Sequence, residues 1–159
     1  MNIRPAKVPD AQGICDLVNY YAEQDLMLHR SLEDIYDCLR EFIVTEENGE
    51  ILGCVAVDVY WGALAEIRSL AVAKAVKGIG VGAELLAGAI EDARRLGIVK
   101  LFALTYEQEY FLGRGFTVVD LNTLPEKVWR ECLEWYNQGH RHETAMVLAL
   151  EEAPSGSAD

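Results

Sequence analysis

EIRSLAVAKAVKGIGVGAELL, residues 66–86, decides how the rest of the chain is read. Its opening belongs to LAEIRSLAVA (64–73), which is apolar and β-branched enough for a central strand. Its close begins AELLAGAIEDARRLG (83–97), an amphipathic helix that Gly97 ends. Between them stands KGIGVG (77–82), with glycine at 78, 80 and 82. A glycine costs roughly 0.5–1 kcal/mol of conformational freedom, so three of them where a helix starts imply a need for bare backbone. A phosphate resting on the exposed N–H groups of a helix N-terminus has that need, and the helix macrodipole adds favourable charge. Lys74 and Lys77 place positive charge beside this loop in a chain whose formal net charge is −12.

Outward from the loop the elements alternate. NIRPAK (2–7) reads as an opening strand, and Asp10 as the cap of a helix carrying Ile14, Leu17, Val18 and Tyr21 at helical spacing. Ser31 and Asp34 resemble a capping box for LEDIYDCLREF (32–42). FIVTEE (42–47), the turn Asn48–Gly49 and EILGCVAVDVYW (50–61) form a strong hairpin signal. Beyond the central helix, VKLFALTY (99–106) is a buried strand, EQEYFLGRG (107–115) a short helix and FTVVD (116–120) a strand. PEKVWRECLEWY (125–136) is a helix entered at Pro125, and TAMVLAL (144–150) the last strand. The expectation is a mixed α+β fold of the α/β kind: one domain over 1–150 with a mixed sheet of six to seven strands flanked by helices, and a frayed tail at 151–159.

Composition narrows the function. The chain's 159 residues suit one domain with a real core, and no stretch approaches the ~20 apolar residues of a membrane span. Cys15, Cys38, Cys54 and Cys132 have no metal-cage spacing, so neither a metal nor a disulfide framework is expected. Together with the absence of an apolar leader this points to the cytoplasm. The acidic balance disfavours a nucleic-acid partner.

Three phosphate loops compete for KGIGVG. A P-loop is excluded because no Gly-Lys-Ser/Thr occurs. Gly78, Gly80 and Ala83 satisfy a dinucleotide pattern, but that pattern should follow its strand directly, and an antiparallel meander precedes it here. The third is a coenzyme A loop. Residues 66–86 resemble the central motif of the GNAT N-acetyltransferases, Q/R-x-x-G-x-G/A after a strand ending in L-A-V, with Lys77 where Gln or Arg is usual. YFLGRGF (110–116) resembles the family's later F/Y-Y-x-x-x-G-F block. The resemblance implies the GNAT fold and acetyl-CoA held by Leu70, Ala71, Val72, Lys77, Gly78, Ile79, Gly80, Val81, Gly82, Ala83 and Phe111.

Acetyl transfer from a thioester to an amine needs a neutral amine, an oxyanion stabiliser and a proton for the departing thiolate. Glu66, four residues before Leu70, is the best-placed base. The family's usual acidic Tyr is Phe111 here; Tyr110 beside it is expected to point elsewhere, and Thr105 is the preferred replacement. A thiol with pKa near ~8.5 leaves without a strong acid.

A narrower resemblance runs through DLMLHRSLEDIYDCLREF, AEIRSLAV, KLFALTYEQEYFLGRGF and LPEKVWRECL to HETAMVL. These stretches look like the acetyltransferase unit of bacterial N-acetylglutamate synthases, of the short type without an amino-acid-kinase domain. That implies acetylation of the α-amine of L-glutamate, a step of arginine biosynthesis. Arg30 and a basic residue near Arg141 (or His142) would bind the two carboxylates, with Arg68 a third candidate, because Arg offers a planar fork to each carboxylate. Members of the family are often dimers, which leaves a homodimer open. Two other readings remain: the same fold acting on a polyamine, aminoglycoside or protein N-terminus, and a non-catalytic acetyl-CoA-binding module.

Overall fold

The computed structural model describes residues 2–150, so the expected tail at 151–159 lies outside the described residues. In chain order the elements are β1 (Ile3–Pro5), α1 (Ala11–Ala22), α2 (Leu32–Asp37), β2 (Phe42–Glu47), β3 (Glu50–Trp61), β4 (Leu64–Val72), α3 (Val81–Arg95), β5 (Lys100–Thr105), α4 (Gln108–Leu112), β6 (Thr117–Val118), α5 (Glu126–Asn137) and β7 (Thr144–Ala149). The strands form one seven-stranded sheet in the order β1-β2-β3-β4-β5-β7-β6. This is the mixed, helix-flanked sheet expected. The Asn48–Gly49 turn has both residues at positive φ, 52° and 82°, which matches the right-handed twist of β2 and β3.

Two expected helix starts differ in detail. Asp10 stands at the N-cap of α1, but its side chain makes no cap hydrogen bond there: the carboxylate takes both Arg4 guanidinium N–H groups at 2.7 and 3.0 Å and the Lys7 backbone N–H at 2.7 Å. A bidentate, charge-assisted partner outcompetes a single backbone donor. At α2, Ser31 Oγ accepts from the Asp34 N–H as expected, but the Asp34 carboxylate turns to Arg30 instead of closing the capping box. The helix stops at Asp37 rather than running to Phe42, because Phe42 is drawn into the ladder opposite Ala56 and buried.

Every strand pairing is antiparallel except that of β4 with β5, which holds only over Leu64–Glu66 against Lys100–Phe102. Past those residues the two strands part. On its other side β4 has a bulge: Ala71 pairs with Cys54 and Arg68 with Ala56, so β4 spends one residue more than β3. Ser69 sits there at φ 54°. The extra residue inverts the alternation of faces. Ala65 and Ile67 pack toward α3 before the bulge, and Leu70 and Val72 after it. Glu66 and Arg68 thereby lie on the face opposite α3, and both line the opening between β4 and β5.

The core falls into three clusters. Val55, Val57, Ile67, Leu85, Leu86, Leu101, Phe116 and Met146 fill the space between the sheet and α3. Ile14, Val18, Ile35, Phe42 and Val44 join the other face to α1 and α2. Phe102, Leu124, Val128 and Ala145 seat α5. Among the described residues no helix is long and apolar enough to cross a membrane.

Candidate active site

Where β4 and β5 part, a cleft of about 840 Å³ runs between α1, α3, α4 and α5, a size that takes a large small-molecule ligand. Its two ends differ in chemistry.

At one end lies the glycine loop. Leu70, Ala71, Val72, Lys77, Gly78, Gly80, Val81, Gly82 and Ala83, of the residues the resemblance assigns to acetyl-CoA, all line the cleft; Ile79 does not, and its side chain is exposed. The glycines serve two purposes. Gly78 and Gly80 have φ of 85° and 91°, and Gly80 is the N-cap of α3, so the loop's path requires the left-handed region there. Gly82 answers a close approach instead: a Cβ would sit 3.0 Å from the Tyr110 hydroxyl. Phe111 borders the cleft but is mainly a core residue, edge-on to Phe116 at 5.1 Å.

The other end is charged. Glu66 is 13% exposed, with Oε1 3.7 Å from Arg68 Nε, and Arg68 also reaches Asp58 Oδ2 at 3.4 Å. Burial pushes the Glu66 carboxyl up to about 7, against the opposing pull of Arg68. That is where a general base working near neutrality belongs. Burial likewise raises Glu143, at the mouth of β7, and lifts the Cys132 thiol to about 12. Thr105 lines the cleft at the end of β5; its Oγ1 accepts the Glu107 N–H at 2.7 Å, which leaves its own proton to donate.

Arg30 and Arg141 lie outside this lining. The Asn19 side chain clamps the Arg30 backbone on both sides, at 2.9 and 2.7 Å. The guanidinium, in a side chain only 5% exposed, donates to Asp34 Oδ2 at 2.7 Å, Ser69 Oγ at 3.1 Å and Cys38 Sγ at 2.9 Å. It therefore braces the bulge of β4 from behind. Arg30→Ala should lower stability by about 2–3 kcal/mol, since it removes a buried side chain and strips the half-buried Ser69 and Cys38 of their donor, with Asp34 spared because it is half exposed. Chemical denaturation of the two proteins measures this. Arg141 lies 4.1 Å over the Tyr106 ring, and His142 stacks on Tyr136 at 3.7 Å. His140 stacks on Trp135 at 3.5 Å and meets Asp25 at 2.6 Å.

The chain's sequence over residues 12–116 matches the model of the acetyltransferase (GNAT) family. The chain belongs to that family. This GNAT chain is 34% identical over 140 residues to the amino-acid acetyltransferase of Mycobacterium tuberculosis, covering 86% of itself and 80% of that protein. A Mycobacterium tuberculosis protein solved in complex with CoA superposes with a TM-score of 0.85 at 29% identity, over 95% of this chain and all of that one. The N-acetylglutamate synthase of Neisseria gonorrhoeae, solved with coenzyme A and N-acetyl-glutamate, gives 0.85 at 34% identity; the match covers 95% of this chain but 35% of the synthase. The GNAT protein is thus an acetyltransferase using acetyl-CoA, and among its described residues no group of three or more His, Cys, Asp or Glu converges as a metal cage.

Sequence reasoning missed several of this GNAT cleft's residues. Tyr110 was expected to point elsewhere, yet it lines the cleft with its hydroxyl buried, without a partner, against Gly82. α4 has only five residues, and both sides of so short a helix border the opening. Glu131 and Trp135 on α5, and Gln138 at its C-cap, also line it; their spacing of four and three residues is a readable signal of one helix face.

Proposed function

We propose that the protein acetylates the α-amine of a free amino acid by direct attack on the acetyl-CoA thioester. One observation carries the reading: Glu66 and Arg68 stand side by side on one face of β4, 3.7 Å apart, in the cleft. A free amino acid is a zwitterion. Its ammonium matches the carboxylate and its α-carboxylate the guanidinium, and this places the reacting nitrogen beside the base. Glu66, near pKa 7, takes the ammonium proton, and the amine attacks the thioester carbonyl. The attacking nitrogen then carries one excess proton; the tetrahedral intermediate collapses with loss of CoA thiolate, and that proton passes to the thiolate, with the Thr105 hydroxyl as the proposed relay. The loop and first turn of α3 hold the pyrophosphate on their N–H groups.

L-glutamate, the acceptor implied by the sequence resemblance, is supported by the amino-acid acetyltransferase and N-acetylglutamate synthase relatives. With it would come a place in arginine biosynthesis. The cytoplasm is the compartment that suits acetyl-CoA and unpaired cysteines.

Free-thiol release from acetyl-CoA, measured against the twenty amino acids and spermidine, tests the reading. Amino acids should be turned over and their decarboxylated amines much less so. Arg68→Met should raise the amino-acid KM about tenfold or more, the scale of a lost charge-assisted pair, with a smaller effect on the acetyl-CoA KM. Turnover of spermidine alone would overturn the proposal.

A further inference from the structure

Near its end β3 carries one residue more than β4: Val59 pairs with Ala65 and Trp61 with Leu64, which leaves Tyr60 with no residue opposite. A bulge of this kind re-aims a side chain, and Tyr60 lines the cleft. Its ring is held edge-on to Phe102 at 5.6 Å, with Lys127 Nζ 5.7 Å over its face. Its hydroxyl is buried and has no hydrogen-bond partner among the described residues. Burial strips such a group of water and here returns no bond, so an unpartnered hydroxyl in a cleft wall calls for a partner from outside the fold. Burial, and after it the Glu131, Glu66 and Asp58 carboxylates, keep the proton on the phenol against the pull of Arg68, so what the group offers is a donor.

We propose that the Tyr60 hydroxyl reads the end of the acceptor's side chain, donating a hydrogen bond to an oxygen there: the side-chain carboxylate when the acceptor is L-glutamate. This rests on the amino-acid reading above and names a residue that selects within it. The placement follows from the register of β4. Arg68 lies where β4 has already left β5, and Glu66 is the last residue of their shared ladder. Tyr60 stands beside Ala65 and Leu64, where the two strands are still joined. From the open part of the cleft toward its closed end the order is therefore Arg68, Glu66, Tyr60. An amino acid held by its charged head on Arg68 and Glu66, with the thioester on the Leu70 side, has the Tyr60 side left for its side chain. Asp58 does not compete for that place as a free charge, because it is engaged with Arg68 at 3.4 Å.

Tyr60→Phe keeps the ring and deletes the hydroxyl. In the full chain it should raise the L-glutamate KM about tenfold or more, the scale of a hydrogen bond to a charged group, with kcat and the acetyl-CoA KM within about twofold of the wild type. L-norvaline has the same chain length and no side-chain oxygen, so its KM, or its inhibition constant against glutamate, should not move. Without ligand the variant should melt no earlier than the wild type, because the hydroxyl it loses has no partner to leave behind. Equal losses for glutamate and norvaline, or no loss for either, overturn the inference and leave the amino-acid reading standing. So does earlier melting of the ligand-free variant, since the hydroxyl would then be bonded inside the fold, with Glu131 the nearest candidate on α5. So does turnover confined to amino acids without a side-chain oxygen. Turnover of spermidine with no amino acid accepted removes the amino-acid reading itself, and this inference with it.

Discussion

Glu66→Gln should lower kcat by about 10²–10⁴-fold, the range that a positioned general base supplies, while acetyl-CoA still binds. The pH profile provides the more specific readout. In the wild-type protein kcat/KM should rise with pH through about 7, as Glu66 loses its proton and becomes competent to take one. In the variant that limb should disappear. A carboxamide has the same shape, so a loss of activity without loss of the limb would assign the base elsewhere. Stability should move the opposite way. The folded pKa of about 7 lies above the ordinary 4.5, so the native state binds the proton more tightly than the unfolded chain does. The stability this confers is complete below about 4.5 and is lost as pH rises through about 7. Glu66→Gln removes that dependence. At pH 8 the variant should be more stable than the wild type, by up to about 3 kcal/mol, and near pH 4 the two should match. Urea titrations at both pH values measure the difference. A protein that becomes sturdier as it becomes inactive would show that the base is held at a cost to the fold.

Gly80→Ala should weaken acetyl-CoA binding about tenfold or more. At φ 91° the N-cap of α3 lies in the left-handed region, where a Cβ costs roughly 1–2 kcal/mol. Relief of that strain swings the first N–H groups of the helix away from the cleft. Gly49→Ala provides the control. Gly49 has nearly the same φ, 82°, with nothing near an added Cβ, but it lies in the hairpin turn between β2 and β3. The two substitutions should destabilise the fold to a similar extent, and only the one at Gly80 should raise the dissociation constant for acetyl-CoA in calorimetry. Equal affinities in the two variants would mean that the loop's path is a folding requirement alone.

The cofactor end was legible in the sequence because its signal is local. Gly78, Gly80 and Gly82 are spaced within one loop, and the strand before them and helix after them follow from periodicity. The hairpin was legible for the same reason, Asn-Gly being a turn by its own backbone preference. The acceptor end was only partly legible, because it is assembled from β4, α5 and the start of β7, which meet only through the sheet order. Glu66 is singled out by its distance along β4 from Leu70, and both residues line the cleft. Arg30 is offered to a substrate carboxylate by the family resemblance, and nothing in its neighbours along the chain indicates that Ser69, 39 residues away, will receive its guanidinium. Tyr110 was misjudged because helical periodicity assigns faces only when a helix is long enough to have them. The bulge at Ser69 had no sequence signature either: a serine in the left-handed region is held there by tertiary contacts, the Arg30 donor and the Cys54 thiol at 3.4 Å from its carbonyl.

The parting of β4 from β5 has a consequence for how the protein behaves in solution. A sheet that opens midway has an edge in its interior, and the main-chain groups of β4 beyond Glu66 face that gap without a neighbouring strand. Most proteins shield such edges with charge, a bulge or a covering helix, because any extended chain can add to them. Here that edge lines the cleft, so an extended, amide-bearing ligand bound in it would complete the ladder. If acetyl-CoA takes that place it stabilises the fold as well as reacting, since each molecule bound to the native state shifts the folding equilibrium by mass action. Preparations stripped of it should melt earlier and associate more readily, and solubility should track cofactor supply as closely as it tracks sequence.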